Sequence, residues 1–119
     1  EAGIVVSLFV DPDPRQLDAC AELGVPYIEL HTGAFCEAEG AVRDQLLSEL
    51  IAAAEQAHEL GIQVNAGHGI TLNNVGDVLR IPHLDVLNIG HSIVCRAIAV
   101  GLTEAVAEMR RAMEPYPQP

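Results

Sequence analysis

The sequence predicts an α/β fold of the (β/α)8 barrel type, with this chain supplying four βα units, about half of such a barrel. Three observations carry that prediction. Four apolar runs with strand composition begin at residues 4, 26, 62 and 84, and a helical pattern follows each, which means βαβ units and a parallel sheet. The length, 119 residues, suits one domain with a real core but is about half of the ~250 residues of a whole barrel. The strands also sort their side chains: Ser7, Glu29, Asn65 and Asn88 lie on one face near the carboxyl ends, and Leu8, Val10, Ile28, Leu30, Val64, Ala66, Leu87 and Ile89, with Val6, lie on the other. A polar face near the strand ends suits the mouth of a barrel better than a doubly wound sheet, the alternative closed form.

Each element has a local reason. The strands are "IVVSLFV" (4–10), "PYIELH" (26–31), "IQVNAG" (62–67) and "LDVLNIG" (84–90). After the first, Asp13 caps and Pro14 opens a helix whose apolar side is Leu17, Cys20 and Ala21 and whose end is Gly24. A polar loop follows the second strand. Then Leu46, Leu47, Leu50, Ile51, Ala54 and Ala57 recur at helical spacing within 41–60, closed by Gly61. The third unit has a short helix over 75–80, halted by Pro82. The fourth has helices over 91–100 and 102–113, interrupted at Gly101, and the tail "EPYPQP" (114–119) is expected to be loose. No linker divides the chain, so 1–119 reads as a single domain. A first residue of Glu1, with strand expected from Ile4, gives the expectation of a piece that begins partway through a larger protein.

Composition narrows the partners. Half of the residues are hydrophobic but only two Phe and two Tyr are aromatic, so Ala, Val, Leu and Ile build the core, as in parallel sheets. Seventeen acidic residues against six arginines give a net charge of −11, which argues against nucleic acid and anionic membranes. A small phosphorylated ligand is compatible, because backbone amides can hold it locally. Cys20, Cys36 and Cys95 are odd in number and widely spaced, the pattern of free thiols in a reducing cytosol. No run approaches the ~20 apolar residues of a membrane span, and a cytoplasmic setting is expected.

The candidate site residues sit at strand ends. Glu29, in the middle of "YIELH", points into a site or pairs with an arginine of a neighbouring strand, and no strand here carries one. His31, two residues on, reads as a capping or packing residue. His68 in "VNAGHGI" stands between Gly67 and Gly69 just past the third strand, where barrel enzymes place catalytic groups and where an imidazole can exchange protons near neutrality. A structural histidine bonded to backbone is the alternative. "NIGHS" repeats the arrangement with Gly90 and His91 before a helix, whose first amides have no intrahelical partner and favour an anion. Gly69, Gly90 and His91 therefore line a candidate phosphate site. Glu29, His31, His68 and His91 could also ligate a metal, as in a metal-dependent lyase or isomerase, but no compact metal motif is present and the glycines suit an anion better, so no metal and no cofactor are expected. A non-catalytic phosphate-binding or assembly module is the remaining alternative, since a four-stranded piece has two open edges that invite another chain.

The strings "VSLFVDPDP", "IELHTG", "VNAGHGI", "NVG" and "LNIGHSIVCRA", in this order, resemble the carboxyl-terminal half of the pyridoxine 5′-phosphate synthase family. The resemblance runs from Val5 to about Met113. It implies a (β/α)8 barrel transferase of vitamin B6 biosynthesis that condenses 3-amino-2-oxopropyl phosphate with 1-deoxy-D-xylulose 5-phosphate. It further implies Glu29 as a transition-state stabiliser, His68 as a proton donor, and Gly69, Gly90 and His91 as phosphate or product ligands. The family's amino-terminal half, with further acid–base and arginine residues, has no counterpart in this sequence. The expected partners are thus phosphorylated small molecules and either the missing amino-terminal half or further copies in a homo-oligomer.

Overall fold

The computed structural model describes residues 2–116. Its elements are β1 (Ser7–Val10), α1 (Pro14–Leu23), β2 (Tyr27–His31), α2 (Gly33–Glu37), α3 (Gly40–Glu59), β3 (Gln63–Gly67), α4 (Val75–Val78), β4 (Leu84–Asn88), α5 (His91–Val100) and α6 (Leu102–Met113). The four strands form one parallel sheet in the order β1-β2-β3-β4. Strand, helix and parallel pairing thus agree with the expected α/β class.

The local signals act as anticipated. The Asp13 carboxylate accepts the Arg15 amide at 2.9 Å, Pro14 fits the first turn, and Gly24 closes α1 at φ 66°. One stripe of α3, with Leu47, Leu50, Ala54 and Ala57, packs on the helix-side face of the sheet, where Ile28, Leu30, Val64 and Ala66 are fully buried. Each such aliphatic side chain contributes about 1.5–3 kcal/mol by leaving water. The other sheet face carries no helix, and there Phe9 and Val86 remain about half exposed. Helix α5 has no buried residue and presents Val94 and Ile98, the latter 87 % exposed. Among the described residues no helix is long and apolar enough to cross a membrane.

Several expectations need correction. Strand β1 begins at Ser7, opposite Tyr27, and not at Ile4. The next rung down would fall on Pro26, which has no amide hydrogen to extend the ladder. Val6, expected against the helices, is consequently exposed. The polar loop after β2 contains α2, seeded by Phe35, whose ring is buried and covered by the Arg43 guanidinium 4.7 Å above it. Helix α4 stops at Val78, and β4 stops at Asn88.

Between β3 and β4 the pairing slips: Val64 faces Leu84, but Asn65 faces Val86. The extra residue, Asp85, bulges out, so Leu84 enters the core while Asn88 still turns to the helix-free face. In the segment expected to be loose, Tyr116 is tied down. Its hydroxyl accepts the Leu84 amide at 2.8 Å and donates to the Ile81 carbonyl at 3.2 Å. Residues 117–119, the rest of that expectation, lie outside the described residues.

Candidate active site

The register lines up two rungs on the helix-free face. Phe9, Glu29, Asn65 and Val86 form one; His31, Gly67 and Asn88 form the next, nearer the carboxyl ends. The Glu29 carboxylate rises from the first rung into the second, over Gly67. A Cβ at position 67 would collide with Glu29 Oε1 and lie 3.1 Å from the Asn88 carbonyl oxygen. Glycine in the strand is therefore the space that Glu29 fills. Among the described residues no arginine meets this carboxylate; the Asn88 side-chain amide donates to Glu29 Oε2 at 2.6 Å. Beside it, Asn65 Oδ1 is buried with no hydrogen-bond partner among the described residues.

His68 comes to the same place from the loop after β3. Its Nε2 stands 3.9 Å from Glu29 Oε1, beyond hydrogen-bond reach but near enough for a small closing movement to pair them. The ring lies 4.7 Å from Phe9 and 5.4 Å from His31, centroid to centroid. His31 in turn places Nδ1 3.4 Å from Asp11 Oδ1, a long contact that gives it a packing position at the rim of the site.

The backbone under His68 is unusual. His68 has φ 77° and Gly69 φ 75°, and the left-handed region costs a non-glycine residue about 1–2 kcal/mol. The next links of the chain explain how it is held. Four consecutive carbonyls, residues 67–70, each accept a hydrogen bond from a side chain. The Thr32 hydroxyl reaches the carbonyl oxygens of Gly67 and His68 at 2.6 and 2.7 Å; the Asn74 amide donates to Gly69 at 3.0 Å; the Ser92 hydroxyl donates to Ile70 at 2.6 Å. Gly69 is also packed from below, where a Cβ would meet Cys36 Cβ at 2.8 Å. With the carbonyls turned into the fold, the amides of Gly69 and Ile70 find no acceptor among the described residues.

The Ser92 bond joins this loop to the start of α5. Gly90 caps that helix without a side-chain hydrogen bond, and a Cβ on Gly90 would meet nothing within 4 Å. His91 occupies the first helical turn and is exposed. Glu29, His68, Gly69, Asn88, Gly90 and His91 thus line a single cleft of about 970 Å³. All five predicted residues are in it. Asn88, Thr32, Asn74 and Ser92 were given no such role from sequence; only the Thr71-to-Asn74 spacing, a local turn in which Asn74 Oδ1 accepts the Thr71 amide at 2.8 Å, offers a short-range signal for one of them. Among the described residues no three His, Cys, Asp or Glu side chains are grouped to hold a metal ion.

A sheet of parallel βα units with a polar cleft at the carboxyl ends of its strands defines the class to which barrel and doubly wound α/β enzymes belong. Within that class the relationship is specific: the family model described as pyridoxal phosphate biosynthesis protein PdxJ matches residues 1–115. The chain belongs to the PdxJ family. It is 56 % identical over 113 residues to pyridoxine 5′-phosphate synthase of Synechococcus sp. (strain JA-2-3B'a(2-13)), covering 94 % of this chain and 47 % of the relative. It is 55 % identical to the enzyme of the same name from Akkermansia muciniphila, over 94 % of this chain and 46 % of that one. For Synechococcus sp. (strain CC9311) the identity is 52 % over 90 % of this chain and 43 % of the relative. The chain therefore spans less than half the length of the curated relatives it matches.

Proposed function

We propose that this chain is the carboxyl-terminal half of a (β/α)8 barrel pyridoxine 5′-phosphate synthase, carrying part of the site that joins 3-amino-2-oxopropyl phosphate to 1-deoxy-D-xylulose 5-phosphate. The observation that carries the reading is the approach of His68 to Glu29 at 3.9 Å in a cleft walled by the two glycine–histidine loops. The relatives are named for making pyridoxine 5′-phosphate, which supports a phosphorylated small-molecule product. The half-barrel reading is supported by the helix-free face and by the open edges of β1 and β4, since parallel sheets ordinarily have both faces covered. The setting is cytoplasmic, and the working partner is the amino-terminal half, or further copies in a homo-oligomer.

In this reading each residue acts by its placement. Asn88 fixes the Glu29 carboxylate so that its free oxygen faces the cleft, where negative charge stabilises positive charge that develops on the condensing amine or on the imidazole. His68 gives a proton to the departing oxygen during ring closure and dehydration. The amides beside Gly69, with Gly90 and His91 at the start of α5, hold a substrate phosphate.

The test combines the chain with a polypeptide covering the amino-terminal part of a relative and measures pyridoxine 5′-phosphate. His68→Asn should lower product formation by a factor on the order of 10² or more and leave phosphate binding in place. Undiminished turnover in that variant would remove His68 from the mechanism.

A further inference from the structure

We propose that Thr32 is a positioning residue for His68, acting through the backbone. The inference rests on the reading of His68 as the proton donor, and it explains what the "HTG" turn after β2 is for. Thr32 is fully buried, and its hydroxyl is placed between two successive carbonyls of another strand's loop, 2.6 Å from Gly67 and 2.7 Å from His68. A hydroxyl has one hydrogen to donate, so the two acceptors share it. The Thr32 amide adds a bond to the Gly67 carbonyl at 2.9 Å. Gly67 and His68 are thereby held with both carbonyls directed at one residue, at the point where the chain enters the left-handed region at His68.

The consequence is geometric. With its backbone held in that conformation, His68 brings its Nε2 to 3.9 Å from Glu29 Oε1, and the amides of Gly69 and Ile70, residues that line the same cleft, find no acceptor among the described residues. The rest of the turn after β2 reinforces the hold, because Gly33 and Cys36 pack directly against Gly69, with Gly33 Cα 3.3 Å from where a Cβ would stand. The loop after β2 is thus the template on which the loop after β3 is shaped. Neither Asn74 nor Ser92 can substitute for Thr32, since they bond to the carbonyls of Gly69 and Ile70.

The test compares Thr32→Val, which keeps the shape and removes the hydroxyl, with Thr32→Ser, which keeps the hydroxyl. Two NMR readouts are taken on the full chain: the one-bond Cα–Hα coupling of His68, which separates positive from negative φ, and the response of the amides of residues 68–70 and 90–92 to inorganic phosphate. Thr32→Val should move the His68 coupling away from its positive-φ value and weaken the phosphate response of 68–70 at least tenfold. The response of 90–92 should change less, and Thr32→Ser should match the wild type in both readouts. A wild-type His68 coupling in Thr32→Val, or a Thr32→Ser variant as altered as Thr32→Val, would overturn the proposal. If Thr32→Val does not fold, Thr32→Ser decides: wild-type readouts support the role of the hydroxyl, and an altered coupling refutes it. Absence of any phosphate response in the wild type would count against the anion site of the proposed function, while the His68 coupling would still test the hold by Thr32.

Discussion

The two glycine–histidine loops look alike in sequence and are built in opposite ways. In the loop after β3 every carbonyl from 67 to 70 is held by a side chain, and both Gly67 and Gly69 are hemmed in by protein atoms. In the loop after β4, Gly90 faces open space, the cap has no side-chain bond, and the helix that follows has no fully buried residue. The first loop is shaped by its own chain before any ligand arrives. The second is joined to the first by the Ser92 bond and packs Ile89 and Ile93 against the core, and a Cβ on its glycine would meet no described atom within 4 Å. A small residue in open space at a helix start makes sense if something else approaches the backbone there.

The sharpest way to break the comparison is to give each glycine a side chain. Gly67→Ala drives a Cβ into the Glu29 carboxylate, and Gly69→Ala meets Cys36 in a left-handed backbone. Each should destabilise the fold by about 1–3 kcal/mol, read from urea midpoints at unchanged slope. Gly90→Ala should stay within about 0.5 kcal/mol of wild type. A Gly67→Ala protein as stable as Gly90→Ala would show that Glu29 yields the space above Gly67 at no cost to the fold.

Removing single hydrogen-bonding groups should have an intermediate effect. Tyr116→Phe leaves the Leu84 amide and the Ile81 carbonyl without their shared partner, at a cost of about 1–2 kcal/mol in the same denaturation assay. A phosphate titration then sharpens the contrast from the ligand's side. Gly90→Val should lose the weak, roughly millimolar binding expected of helix-end amides, with helix content unchanged by circular dichroism. An equal phosphate response in wild type and Gly90→Val would remove Gly90 from the site.

These experiments also bear on what could be read from sequence. Capping at Asp13 and Gly24, the α3 stripe and the placement of His68 just past β3 are short-range patterns, and the structure follows them, with Glu29 in the middle of β2. The grip on the loop after β3 is not short-range: Thr32 lies 35 residues before the Gly67 carbonyl it bonds, and Ser92 lies 22 beyond Ile70. No periodicity encodes such pairs. The donor to Glu29 was similarly hidden, 59 residues away in Asn88, because only the register of β2, β3 and β4 brings them together. Helix α2 spans five residues with one buried ring, Phe35, too short a segment for a helical period to show.

Smaller effects should separate the two loops by chemistry. Cys36, under Gly69, has its thiol pushed up from the ordinary range by burial, whereas Cys95 in α5 is exposed. Alkylation at neutral pH followed by mass spectrometry should mark Cys95 first and Cys36 much later. The smallest effect concerns acid. Arg96 of α5 makes two bonds of 2.7 Å to Glu108 of α6 and holds that carboxyl below the usual range. The pair therefore contributes fully above the unfolded glutamate value of about 4.3, and its contribution is lost as pH falls through the lowered folded value. The protection of α5 amides, corrected for the intrinsic exchange rate at each pH, should fall in that acid window, while that of the β2 and β3 ladder amides should not.

The bulge at Asp85 divides β4 into two parts that tolerate chain-length change differently. Without Asp85, Leu84 can face Val64 and Val86 face Asn65 with no slip, so a one-residue deletion at that point is absorbed by straightening the strand. The same deletion at Leu87 would carry Asn88 one rung down to Ala66 and turn it toward the helices, leaving Glu29 without its donor. Asp85 is thus slack stored in the strand, and it lies on the side of the core where taking it up leaves the cleft undisturbed.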